Sequence, residues 1–304
     1  MKADAIFEGG RVRGIGFVGA ISCLEDRGYE FERLAGTSAG AVVAALLAAG
    51  YTGRELSMIT DTDFGKFLDP DVIQSIPLLG APLGLLWEKG LYQGEFMKEW
   101  MRGLLKKKGK TTFGDVMRGG ESRLKIIASD ITKKEIMILP DDLPEYGIDP
   151  MKFEIAEAVR MSAGIPLFFN PVVLKTGKCK SYIVDGGVLS NFPVWIFDVE
   201  GAPRWPTFGF KLADSSESNC SQGRTDLFSY LCDLFETMID EDQTVFMRDK
   251  DSVRTILIPT LGIKATDFNL SPMNAFQLYQ SGYASCQHFL KQWNFNDYIR
   301  KYRV

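Results

Sequence analysis

The residues best suited to chemistry start at Gly36-Thr37-Ser38-Ala39-Gly40, a G-x-S-x-G set lying between a strand-like stretch, 29–35, and an apolar helical pattern. Flanking glycines permit a turn sharp enough to project a serine hydroxyl from a strand end, which is the placement a nucleophilic serine needs. The N-terminus of the following helix also favours developing negative charge. The same five residues would serve an ordinary helix start with Ser38 as N-cap, so alone they leave both readings open.

A second set, Glu8-Gly9-Gly10-Arg11-Val12-Arg13-Gly14, separates the first apolar strand from the first helix. Successive backbone N–H groups in such a loop form an anion-binding nest, and beside a reactive serine they can hold the oxyanion of an acyl-transfer intermediate. A third, Asp185-Gly186-Gly187, follows the apolar run Tyr182-Ile183-Val184. A carboxylate at a strand end, with glycines letting the chain turn close by, suits a general base. Only tertiary structure can bring it to Ser38, and Asp130, after the run 124–129, is a competing carboxylate. One further set is a decoy. Gly14-Ile15-Gly16-Phe17-Val18-Gly19 fits G-x-G-x-x-G, with Glu32 near the place of a ribose-binding acid, but these glycines fall inside a helical pattern instead of at its opening turn.

These residues sit in a chain of 304, 45% hydrophobic and 24% charged, long enough to bury a sizeable core. A net charge of −4 offers nucleic acid no overall attraction. The single histidine, His288, excludes a His-rich metal centre and leaves at most one imidazole for a Ser-His-Asp set; no metal and no cofactor is expected. Five cysteines without a C-x-x-C pair read as free thiols, and the N-terminus lacks a signal-peptide pattern, so a cytoplasmic location is expected. The uncharged stretch 34–53 is about long enough to span a bilayer, yet its glycine-serine opening and Ala-rich body suit a packed, buried helix. Strand-like runs at 5–7, 124–129, 136–139, 182–184, 207–212 and 255–258 alternate with helical patterns at 15–27, 39–49, 95–108, 152–162, 226–248 and 274–293. That alternation predicts a layered α/β domain, with 214–224 as a surface loop.

Taken in order, Glu8 to Gly14, Gly36 to Gly40 and Asp185 to Gly187 resemble the patatin-like phospholipases, serine acyl hydrolases with a Ser-Asp dyad. Leu34-Ala35, the run Arg160-Met161-Ser162-Ala163-Gly164-Ile165-Pro166-Leu167-Phe168-Phe169 and Asn191-Phe192-Pro193 are similar to that family as well. The resemblance implies an α/β/α fold around a central mixed, mostly parallel sheet, forming one domain over 1–304; its motif-bearing part is 4–198, and 199–304 completes the fold or forms a partner surface. It implies Ser38 as nucleophile and Asp185 as general base, with no histidine needed. The N–H groups of Gly10, Arg11 and Ala39 would form the oxyanion hole, and Gly9, Arg13, Gly14, Gly36, Gly40, Gly186 and Gly187 would support the motifs. The activity implied is hydrolysis of lipid carboxylic esters, of phospholipase A or lysophospholipase type. An acyltransferase on the same dyad, or a catalytically silent lipid-binding or regulatory protein, are the alternatives. Most relatives carry three glycines where this chain has Gly9-Gly10-Arg11. If the third position requires positive φ, an arginine there is strained, and the hole is re-aimed or completed only by a regulatory partner or activating ligand.

Two stretches bear on access to membrane phospholipid. The run 76–92 is apolar and interrupted by glycines, which reads either as a lid or as a connection packed over the core. From 98 to 110, Lys98, Arg102, Lys106, Lys107, Lys108 and Lys110 stand against Glu99. This cluster reads either as a solvated helix end or as a peripheral contact with anionic headgroups at the inner face of a membrane.

Overall fold

A computed structural model of the chain describes residues 1–59, 90–92, 94–213, 247–263 and 270–303, without the side chains of 11, 12 and 90–92. Runs rich in Ile, Val, Leu and Phe become strands: β1 Lys2–Phe7, β2 Glu30–Thr37, β3 Gly90–Tyr92, β4 Met117–Arg118, β5 Glu121–Ser122, β6 Leu124–Asp130, β7 Glu135–Leu139, β8 Leu167–Phe169, β9 Val172–Thr176, β10 Cys179–Asp185, β11 Thr207–Ala213 and β12 Thr255–Pro259. The helices are α1 Ile15–Asp26, α2 Ala39–Ala48, α3 Gly53–Ile59, α4 Glu95–Lys107, α5 Ile155–Ser162, α6 Pro272–Gln292 and α7 Phe295–Tyr302, with a further single turn at Asp249–Ser252.

The main sheet runs β12-β11-β1-β2-β6-β10-β9, with β7 also on β6. Pairing is parallel from β12 through β6 and antiparallel for β6–β10, β10–β9 and β6–β7. This is the mixed, mostly parallel sheet that the family resemblance implies. Strands β1 and β11 are buried on both faces, which is why they read as near-continuous apolar runs. On one face lie α1 and α2, whose apolar residues join Phe7, Leu34, Phe208 and Phe210 in one core. On the other, Ile6 and Ala35 meet Phe192, Val194 and Phe197. Strands β11 and β12 come from the C-terminal third and extend the same sheet, while α6 packs along α1.

Helix α5 opens at Ile155, three residues after the sequence predicts. The intervening chain is drawn instead onto 112–114, where Thr112 bridges Glu154, Phe113 N–H donates to Phe153 C=O and Gly114 N–H to Met151 C=O. Helices α3 and α7 went unforeseen because seven or eight residues carry too little periodicity. The pattern at 226–248 and the loop at 214–224 lie largely outside the described residues, as does the run 76–92 apart from β3, which pairs in parallel with β8. The uncharged stretch 34–53 divides into a strand, a turn and a buried ten-residue helix, and no described helix is long and apolar enough to cross a membrane.

Candidate active site

Two strands share one edge of β6, and the site lies where they meet. Strand β7 pairs with Ile126–Asp130, overlapping the pairings of both β2, which reaches Thr37↔Ile127, and β10, which ends at Asp185↔Ala128. A strand has only two edges, so β2 and β10 must both lie on the edge opposite β7, meeting head to head at Ile127 and Ala128. The residues at the two strand ends are Ser38 and Asp185. The junction is tight: a Cβ on Gly186 would lie 2.3 Å from Ile127 O and 2.9 Å from Thr37 Cγ2.

Ser38 sits between β2 and α2 with φ 53° and ψ −119°, a conformation that costs a non-glycine residue on the order of 1–3 kcal/mol. The serine is therefore an elbow and not an ordinary N-cap; its side chain makes no capping hydrogen bond, and its carbonyl takes the first helical bond from Ala41 N–H at 2.9 Å. The N–H groups of Ala39 and Gly40 precede that first helical bond. A Cβ on Gly40 would lie 2.3 Å from Phe7 O, so the elbow presses directly on the end of β1. Ser38 is 7% exposed and Asp185 1%. The Asp185 carboxylate is oriented by Gly187 N–H, which donates to Oδ1 at 2.8 Å, and its own N–H donates to Gly164 O at 2.9 Å.

The glycine loop comes to the same place. A Cβ on Gly9 would be 3.4 Å from Ser38 Cβ, and Gly9 exchanges hydrogen bonds with Asn191, its N–H donating to Asn191 O at 3.1 Å and its carbonyl accepting from Asn191 Nδ2 at 3.4 Å. Arg13, buried, turns back on the loop and donates through N–H and Nε to Gly10 O, at 3.2 and 3.4 Å. At the base of the loop Glu8 is buried against Lys211, with Oε1 to Nζ at 2.5 Å and Oε2 accepting from Leu212 N–H at 2.8 Å. Burial pushes the Glu8 carboxyl up, against the pull of Lys211. Neither Gly9 nor Gly10 has positive φ, and Arg11 opens a 3-10 turn, Arg11–Gly14, a right-handed conformation open to any residue. The strain expected at a third-glycine position is therefore absent.

The other candidates read from the sequence fall elsewhere. Burial would raise Asp130, but Lys133 N–H, Ser181, Tyr146 and Thr132 N–H hold it below its ordinary value; its Oδ1 closes the β6–β7 turn and its Oδ2 takes the Tyr146 hydroxyl at 2.8 Å. The G-x-G-x-x-G decoy belongs to helix packing, since Gly16 and Gly19 lie in α1 against α6. His288 is exposed on α6. In the basic cluster, Lys98 pairs with Glu157 at 2.6 Å, Arg102 with Glu154 at 2.6 Å and with Glu99, and Lys108 with Glu55 at 2.7 Å; Lys106 and Lys107 remain on the exposed face. The sequence assigns no role to Ser162, whose Oγ accepts from Ser38 N–H at 2.9 Å and donates to Ile127 O at 2.5 Å. Its signals are a place in the family-like run Arg160 to Phe169 and a serine closing a helical pattern just before Ala-Gly-Ile-Pro.

Comparison with known proteins bears on the family and the fold. The chain is 39% identical to an uncharacterised protein, YqhO, of Bacillus subtilis over 97% of its own length and 100% of that protein's. It is 27% identical to a probable lipid hydrolase, 463L, of Invertebrate iridescent virus 6, over 62% of this chain and 61% of the other. Among solved structures it resembles ExoU, in the ExoU–SpcU complex of the Pseudomonas aeruginosa type III secretion system, with a TM-score of 0.55 at 15% identity; 96% of this chain is covered but 51% of that one, so the likeness concerns the fold. The patatin-like phospholipase family model matches residues 5–198, from β1 through the Asp185 turn to the segment that covers Ile6, and the chain belongs to that family, which supports a lipid hydrolase activity.

Proposed function

We propose that this chain is a lipid acyl hydrolase of phospholipase A or lysophospholipase type, working through an acyl-serine intermediate on a Ser38-Asp185 dyad. The observation that carries the reading is the strained Ser38 elbow standing head to head with Asp185 across one edge of β6. Strain of this kind is retained where the surrounding structure over-determines it, as at a nucleophile.

In the proposed cycle Asp185 accepts the Ser38 Oγ proton as Oγ bonds to the ester carbonyl carbon. The N–H groups of Gly10, Arg11 and Ala39 stabilise the tetrahedral oxyanion. Its collapse breaks the ester bond, and Asp185 returns the proton to the departing alcohol. A water, deprotonated by Asp185, then attacks the acyl-serine, the fatty acid leaves, and Ser38 recovers its proton. A carboxylate is a weak base for a serine, and the near-complete burial of Asp185 limits the water that would weaken it further. The continuity of β11 and β12 with the sheet supports one domain over the whole chain, and the three described cysteines, all free thiols, support a cytoplasmic setting for an enzyme that meets its substrate at a membrane face.

A fluorophosphonate probe tests the dyad. Labelling should require Ser38, disappear in Ser38→Ala and slow by about 1,000-fold in Asp185→Asn, with both variants folded. Labelling that survives Ser38→Ala at the wild-type rate, or no labelling of folded wild type with or without phospholipid vesicles, would overturn the reading.

A further inference from the structure

The hydrogen bonds between β2 and β6 stop one rung early, and a side chain fills the gap. Parallel ladders engage alternate residues of a strand. Leu34 N–H donates to Arg123 O at 2.8 Å, and the register Gly36↔Ile126 carries the same pattern on to Gly36 N–H and Lys125 O. The next rung would join Ser38 N–H directly to Ile127 O. Instead Ser162 Oγ stands between them, accepting from Ser38 N–H at 2.9 Å and donating to Ile127 O at 2.5 Å. Ser162 is fully buried at the end of α5, and two residues on Gly164 O receives the Asp185 N–H at 2.9 Å.

We infer that Ser162 is a positioning residue for the nucleophile. Its hydroxyl splices the ladder, satisfying both backbone groups while holding the end of β2 one oxygen away from β6. A direct rung would keep Ser38 in extended backbone and draw it along the sheet. The inserted hydroxyl lets Ser38 leave the sheet at φ 53° without an orphaned amide, and leaves room at Ile127 O for Gly186 to pass. The reading rests on Ser38 being the nucleophile.

The experiment follows fluorophosphonate labelling over time in wild type, Ser38→Ala, Ser162→Ala and Ser162→Thr, together with turnover of a soluble p-nitrophenyl ester. Ser162→Ala is expected to reach full labelling of the folded protein with a rate constant lower by about 10- to 100-fold, and to lower kcat with KM nearly unchanged. Ser162→Thr, which keeps the hydroxyl, should recover most of the rate. A merely structural role would instead reduce the fraction labelled and leave the rate constant alone, and that result, or a wild-type rate in Ser162→Ala, overturns the inference. Should Ser162→Ala not fold, Ser162→Cys, close in shape and a weaker hydrogen-bonding group, replaces it with the same two outcomes. Labelling of wild type that does not depend on Ser38 defeats the dyad itself and this inference with it, whereas dependence on Ser38 without dependence on Ser162 defeats this inference alone.

Discussion

The α1–α6 seam and the β2–β10 junction are both crowded with glycine, and they use it in opposite ways. At the seam, glycine lets two helices touch along a contact made of shape. A Cβ on Gly19 would lie 1.9 Å from Tyr279 O, and nearby Phe289 and Trp293 stack on each other and both meet Phe208 edge-on, with centroids 5.4–5.6 Å apart. Cys23 and Cys286 are buried there, and burial pushes both thiols up, so they act as small apolar groups. At the junction, glycine clears space for directional bonds among buried polar groups: Glu8, Arg13, Ser38, Ser162, Asp185, Asn191 and Lys211. Shape holds the first region and leaves it relaxed. Hydrogen bonds hold the second, and they hold it strained.

Alanine at one glycine from each region should separate the two. Gly40→Ala would push the elbow off β1, and labelling by a fluorophosphonate is expected to fall by 100-fold or more, on the order of the loss for a misplaced reacting group. Gly19→Ala would pry α6 from α1. Overpacking against backbone of this kind should cost on the order of 3 kcal/mol in urea unfolding, while the labelling rate per folded molecule stays at the wild-type value. Equal loss of labelling in both variants would erase the distinction between the regions.

A second polar cluster sharpens the contrast because it is bonded like the site yet shares none of its residues. Asp198 receives Lys250, Arg254 and Arg303, each at 2.7 Å. Burial alone would raise its carboxyl, but the three cations outweigh this and hold it down at about 2, from an ordinary 3.8. A folded pKa below the unfolded one means stability that is complete above the unfolded value and lost as pH falls from about 4 toward 2. Asp198→Asn should therefore cost about 2 kcal/mol at neutral pH, flatten the acid limb of the stability curve over that window, and leave labelling intact. An unchanged acid limb would show that the three cations find other partners.

The α/β character was largely legible because the central strands are buried on both faces and the longer helices are periodic, so local pattern and tertiary role coincide. Ser38, Asp185 and the glycine loop were legible as residue types, through motifs whose glycines answer to close approach. Their meeting was expected only through the family resemblance and not from the residues themselves, because a shared edge of β6 depends on β7 occupying the other edge, a pairing between segments that carry no mark of it. The role of Ser162 was invisible for a related reason. A hydroxyl standing in for one backbone rung looks, in sequence, like any serine at a helix end.

The smallest expected effect concerns Arg11, which stands where the family resemblance leads one to expect a third glycine. A glycine is required at such a position only if φ is positive or a Cβ meets an obstacle. The chain at Arg11 enters a right-handed 3-10 turn, and the loop before it is pinned by Asn191 at Gly9 and by Arg13 at Gly10 O. The loop that leads into residue 11 is thus held by bonds of Gly9 and Gly10 with Asn191 and Arg13. Arg11→Gly should leave the labelling rate equal to wild type or raised by about twofold at most, with a slight loss of stability from the added freedom of the unfolded chain. A collapse in labelling with the fold intact would mean that the arginine side chain itself takes part at the junction, and that the site is held by charge as well as by backbone bonds.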